Sequence, residues 1–229
     1  MTSPPTCKGA SLSRRRQRGI LIRGHLERRE TDALREWARR AAAPVVGSLV
    51  AALLELDDLL RWRAVEALAL IAADQAASGD LDRARELIRR QFWSMMEESG
   101  NIAWHAPEAI GEIICRVPDL APEFLSQLAG YDEDPFSPGL AWALARLAPA
   151  QPRLVGEELE RIQRWLAHPD PLVRGNAALA LGRLGRAADA REALGALVDD
   201  AAPVIRYDFA GGELVQTSVG ALARAALAS

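Results

Sequence analysis

The sequence predicts an all-α chain built as an α-solenoid of about five helix pairs, and three observations point that way. First, five stretches can be laid over one another with alanines and leucines in register. The clearest are Asp58-Leu-Leu-Arg-Trp-Arg-Ala-Val-Glu-Ala-Leu-Ala-Leu-Ile71 and Asp170-Pro-Leu-Val-Arg-Gly-Asn-Ala-Ala-Leu-Ala-Leu-Gly-Arg-Leu184. Self-similarity at a period of about 35–45 residues, with helical patterning in each unit, marks repeats that stack on their neighbours. Second, the 229 residues are 49% hydrophobic but only 5% aromatic, so the core is built mainly of Ala and Leu, both good helix formers. Third, the prolines fall at the starts of helices or between them, where a missing N–H costs least.

Residues 1–13, rich in Ser, Thr and Pro, predict a disordered arm, and residues 14–229 a single domain. Helical patterning starts near Arg14 as an N-terminal extension and pauses at Arg29-Glu30. Thr31 and Asp32 offer an N-cap for a helix running to about Arg40. Pro44 can enter the first turn of the next helix, which carries Val45, Val46, Leu49, Val50, Leu53 and Leu54. Asp57-Asp58 ends that helix and caps the one after it. The second pair spans 81–97 and about 106–115, joined by Glu98-Ser-Gly-Asn101. The third spans 122–129 and 137–147, bounded by Pro118 and the Asp132-Glu-Asp-Pro135 turn. The fourth spans about 152–167 and 171–184 around His168-Pro-Asp-Pro171. The fifth begins near Ala188 and ends with 218–227.

One segment breaks the helical pattern. Val204-Ile-Arg-Tyr-Asp-Phe209 and Glu213-Leu-Val-Gln-Thr217 alternate apolar and polar residues about Gly211-Gly212, which predicts a small β-hairpin over about 204–217, inserted in the last repeat. A two-stranded ribbon is marginal alone, so it must pack on a neighbour. It either caps the last repeat or forms a lip on a groove.

Charge is unevenly spread. Residues 1–43 hold eleven Lys and Arg against four acids, a net of +7, which leaves −10 on the remainder of a chain whose formal net charge is −3. An acidic body with a basic arm argues against the whole surface binding nucleic acid, though the arm alone could touch phosphate. Cys7 and Cys115 give no disulfide framework and no metal pattern; Cys115 falls on the apolar side of a helix. The Arg14-Arg15-Arg16-Gln17-Arg18 cluster precedes an apolar run too short for a signal peptide, and no stretch of about 18 apolar residues exists to span a membrane. The expectation is a soluble, cytoplasmic protein.

The repeats resemble HEAT repeats, including those of phycobilisome-lyase-like proteins. The resembling pattern, Asp-x-x-Val-Arg-x-x-Ala-Ala-x-Ala-Leu-Gly, is carried by Asp170, Val173, Arg174, Ala177, Ala178, Ala180, Leu181 and Gly182. It recurs at Asp57 or Asp58, Arg61, Ala64, Val65, Ala67 and Leu68. The copy around Trp104-His-Ala-Pro-Glu-Ala-Ile-Gly111 lacks the Arg. The stretch over 97–108 also resembles a segment of bacterial HEAT-repeat proteins of unassigned function. The resemblance covers roughly 44–227 and implies fold more than activity.

Counted from Arg61 and Arg174, places +3, +4, +7 and +10 are Ala64, Val65, Leu68 and Ile71 in one copy and Ala177, Ala178, Leu181 and Leu184 in the other. Helical neighbours at that spacing form one buried stripe. Places +2, +5 and +9 face away from it, and the resemblance implies that this face lines a concave groove. Along the chain they include Arg63 and Glu66; His105, Glu108 and Glu112; Trp142 and Arg146; Asn176 and Arg183; and Arg224. Arg146, Arg183 and Arg224 form a row suited to a carboxylate-rich peptide or a phosphate. Trp142 offers the large contact area of a binding hot spot, or else packs as a core residue between repeats. Trp104 and the loop before it shape the groove edge.

His105, Glu108 and Glu112, at i, i+3 and i+7, could gather an imidazole and carboxylates for a metal or for acid–base work. Three ligands from one helix rarely converge, so a polar groove wall is expected instead. His25 and His168 read as surface residues. No phosphate-binding Gly loop, no Gly-x-Ser-x-Gly elbow and no kinase signature is present. The expected function is a non-enzymatic scaffold that holds a protein or peptide in its groove without a cofactor. An enzyme on the same scaffold, either tetrapyrrole-lyase-like or a HEAT-like DNA glycosylase, is the alternative. A glycosylase would need a basic groove, whereas Glu66, Glu108 and Glu112 make one end of this one acidic.

Overall fold

A computed structural model describes residues 8–96 and 104–229, with the side chains of the first helix described from Arg14 onward. The first seven residues of the expected arm, and the loop expected between the second pair of helices, lie outside that set. The described residues are mostly helical, with thirteen α-helices and one two-stranded antiparallel sheet. None of these helices is long and apolar enough to cross a membrane.

Helices α1 (Lys8–Glu27), α2 (Thr31–Arg40) and α3 (Ala42–Ala52) lead into α4 (Asp58–Ala77) and α5 (Leu81–Met95). Then come α6 (Ala106–Arg116), α7 (Ala121–Ala129), α8 (Ser137–Leu147), α9 (Pro152–Gly156) and α10 (Leu159–Arg164). The chain closes with α11 (Pro171–Arg183), α12 (Arg191–Ala196), β1 (Pro203–Asp208), β2 (Glu213–Ser218) and α13 (Val219–Leu227). Helix α1 starts six residues before the expected Arg14. Cap residues set several other starts. Asp57 accepts from the N–H groups of Leu59 and Leu60, Asp170 from Leu172 and Ser218 from Ala221, each satisfying donors that a helix start leaves free. At α2 the cap position is Glu30, without a side-chain bond, rather than Thr31 or Asp32.

The helix expected over 152–167 is broken into α9, α10 and a 3-10 turn, Trp165–Ala167. Around Gly156 the bonds tighten to i→i+3, from Glu157 N–H to Leu154 O and from Glu158 N–H to Val155 O, and that tighter pitch ends the α-helix.

Packing runs in a row. Helix α4 lies against α6, α6 against α8, α8 against α11 and α11 against α13, with α5 bridging α4 and α6. The stripe residues make this contact: Ala64, Val65, Leu68, Ala177, Ala178 and Leu181 are all buried. Small residues set the spacing, since a Cβ on Gly111 of α6 would come within 2.6 Å of the Ala143 side chain on α8.

The hairpin pairs Val204 with Thr217 and Asp208 with Glu213. Its ribbon has helices on both faces. Val204 packs on Gly175 of α11; Tyr207, three residues on and so on the opposite face, stacks on Trp62 of α4 with the rings 5.8 Å apart. The hairpin thus leaves the end of the row and reaches back to its beginning.

Candidate functional site

Most of the residues that sequence counting assigns to the groove are covered. Arg63 is 7% exposed, Glu66 5% and Trp142 7%, and Glu108, Glu112 and Asn176 are equally buried. The expectation of an open, solvated face is corrected at these positions: the hairpin lies on Arg63, Glu66 and Trp142, whereas Glu108 packs on Gly139 of α8 and Glu112 lies between Arg116 and Arg146.

The hairpin tip is held chiefly by its backbone. Arg63 donates to Gly212 O through Nε (3.2 Å) and Nη2 (3.1 Å), and ties the same guanidinium to Leu26 O and Glu27 O at the end of α1. Arg29, in the turn between α1 and α2 with a left-handed φ of 53°, donates to Phe209 O and Ala210 O and pairs with Glu66 at 2.8 Å. Glu66 also accepts the Tyr207 hydroxyl at 2.7 Å. Burial, and then the nearby Glu66 carboxylate, push the Tyr207 phenol well above its ordinary range. Gly212 has a φ of 75°, and a Cβ there would collide with Arg29, so only glycine fits the turn. Tyr207→Phe should cost about 1–2 kcal/mol, the price of a buried acceptor losing one of its donors; a chemical-denaturation midpoint with unchanged slope would measure it.

Beyond the tip, Phe209 fills an aromatic corner. Trp62 and Trp142 lie 4.8 Å apart, Phe209 sits 6.5 Å from Trp62 and 6.2 Å from Trp142, and the Arg146 guanidinium lies 4.7 Å from the Phe209 ring. Glu112, wholly buried on α6, accepts from Arg116 at 2.8 Å and from Arg146 at 2.8 and 3.2 Å. Burial works against the Arg146 charge, but Glu112 more than offsets it and raises the pKa. Cys115 beside them is half-buried, and burial pushes its thiol up, which keeps it protonated and unreactive.

One part of the ridge stays open. Between α8, α11 and β1 lies a recess of about 200 Å³, lined by Trp142, Arg146, Asn176, Arg183, Arg206 and Asp208 among others. The Arg183 side chain leaves part of its surface to solvent while its partly buried guanidinium donates to Ala145 O at 2.7 Å, closing a free carbonyl near the end of α8.

The other expected site residues fall elsewhere. His105 Nδ1 lies 3.1 Å from Glu108 Oε1, whereas Glu112 faces arginines, so the three do not converge. Among the described residues no three His, Cys, Asp or Glu side chains gather into a metal-holding group. Trp104 is 60% exposed at the start of its segment. Arg224 is exposed on α13 and donates to Val198 O; its place beside Arg146 and Arg183 is taken by Arg206. Sequence reasoning missed Trp62, Arg29, Arg206, Tyr207 and Phe209. The usable signal was the hairpin itself, because two aromatics in a ribbon that cannot stand alone require a partner surface. Comparison of the chain with protein-family models, curated proteins and solved structures finds no match.

Proposed function

We propose that this chain is a non-enzymatic binding scaffold: a short, HEAT-like α-solenoid of about five helix pairs that holds a protein or peptide segment along the polar ridge of α4, α6, α8 and α11. One observation carries the reading. The ridge and the turn after α1 already grip a piece of backbone, the hairpin turn over 209–212, through carbonyls bonded by Arg29 and Arg63, with one aromatic side chain seated beside them. Backbone recognition gives affinity for an extended chain and side-chain pockets give selection. The open stretch at Arg183 and Arg206 is where an acidic side chain of a partner enters, because the guanidinium fork matches a carboxylate.

The test is capture by the immobilised full-length chain, comparing wild type with an Arg183→Glu/Arg206→Glu double variant. The variant should lose the partner that the wild type retains, while losing only about 1 kcal/mol of stability, since one partly exposed hydrogen bond is broken. Capture that survives the reversal rejects the reading, as does loss matched by a collapse in melting temperature. Retention of duplex DNA at moderate salt would favour a nucleic-acid enzyme instead.

A further inference from the structure

The recess between α8, α11 and β1 has an unbalanced charge. Three arginines line it, Arg146, Arg183 and Arg206, and a fourth, Arg116, does not line it but shares the single carboxylate of Glu112 with Arg146. Among the described residues no carboxylate pairs with Arg183 or Arg206, and the buried Nε of Arg206 has no acceptor. Asp208 lines the same recess, but its two oxygens accept the N–H groups of Ala210 and Gly211 at 3.1 and 2.8 Å, where they close the hairpin turn. With Glu112 and Asp208 set against four guanidinium groups, two positive charges remain uncompensated. Burial and mutual repulsion lower the pKa of both Arg183 and Arg206, yet an arginine stays protonated at neutral pH. Like charges brought together without a counter-ion cost free energy that the fold must offset elsewhere.

We infer that this recess is a binding site for a compact dianion of the phosphate type, held between the helices by Arg183 and Arg146 and from the hairpin by Arg206. Size and charge select the class. About 200 Å³ lies below the roughly 300–1,000 Å³ of pockets that enclose drug-sized ligands, so a small ligand or a single phosphate-bearing group fits. One carboxylate would leave a positive charge over, whereas a phosphate dianion balances both and presents oxygens to several forks at once. The Phe209 ring beside the Arg146 guanidinium restricts that fork's orientation before any ligand arrives. Because Arg206 belongs to β1 and its partners to α8 and α11, a bound anion ties the hairpin to the row. The recess is the one that the scaffold reading gives to a partner's acidic side chain, but the anion inference rests on the recess alone and holds whether or not a partner binds.

The test is a titration of the full-length chain with inorganic phosphate, at constant ionic strength against chloride, followed by melting temperature and calorimetry. Wild type should show saturable heat and a melting temperature that rises with the logarithm of phosphate concentration, as ligand linkage requires. Arg206→Gln should show neither. It should fold as well as wild type without phosphate, because Arg206 makes no described hydrogen bond or ion pair to lose. Phosphate also stabilises proteins generally by exclusion from their surface, so an equal rise in both proteins would overturn the inference, as would no saturable heat in the wild type. Run without phosphate, the capture experiment keeps the two readings separate: phosphate binding without capture sinks only the scaffold, and capture without phosphate binding sinks only the anion site.

Discussion

Arg146→Glu is expected to lower stability by about 3–5 kcal/mol, the range for removing one partner of a buried ion pair, or roughly 6–20 °C in melting temperature for a chain of this size. Glu112 has no exposed surface and is held by Arg116 from its own helix and Arg146 from the next. Reversal sets two carboxylates against each other where one cannot reach water, so α6 and α8 must part or a proton must bind. The Arg146 side chain is itself 31% exposed, which favours the lower end of the range. Arg146→Met removes the charge without adding another and leaves Arg116 on Glu112, so it should cost about 1–3 kcal/mol. Thermal unfolding of the three proteins separates these cases. A charge-reversed protein that melts with the wild type would mean that Glu112 is not confined. Sequence reasoning placed Arg146 on the groove face, where reversal would weaken partner binding without lowering stability; the contact that forbids this lies 34 residues back.

That contact marks what the sequence did and did not make legible. Helix α8 begins and ends, and α11 begins, where the apolar period and flanking residues say, because caps, prolines and 3.6-residue spacing are local signals. The buried stripe was legible for the same reason: Leu68 and Leu181 follow from counting along one helix. Counting also found Arg63, Glu66, Trp142 and Arg183 on one ridge. It could not find what lies on that ridge, because Tyr207 meets Glu66 across 141 residues and Gly212 meets Arg63 across 149. No periodicity encodes a pairing at that distance. Arg206 was missed because a lone Arg in an alternating strand reads as the solvent side, whereas this ribbon has helices on both faces.

The long-range contact with the most riding on it is Arg63, and Arg63→Ala is expected to cost about 3–5 kcal/mol. One guanidinium serves the carbonyls of Leu26 and Glu27, Gly212 O, and the Glu213 carboxylate at 2.9 Å. Truncation leaves the Glu27 and Gly212 carbonyls without a described donor, while Leu26 O keeps the Arg29 N–H, at a site where Arg63 is only 7% exposed. Each buried group left unsatisfied costs about 1–3 kcal/mol, less than additively, and the Glu213 carboxylate loses its partner as well. The damage should be local. Amides of residues 203–218 should lose hydrogen-exchange protection and Trp62, no longer stacked on Tyr207, should shift its fluorescence to the red, while α8 and α11 keep their protection because Leu144 and Leu181 stay buried. Arg63→Lys should recover only part of the loss, since a single ammonium cannot fork towards both the end of α1 and the hairpin tip. If hairpin amides exchange at the wild-type rate in Arg63→Ala, the aromatic corner of Trp62, Trp142 and Phe209 holds the ribbon without help from its backbone grip, and recognition of a partner's backbone by this ridge loses its basis.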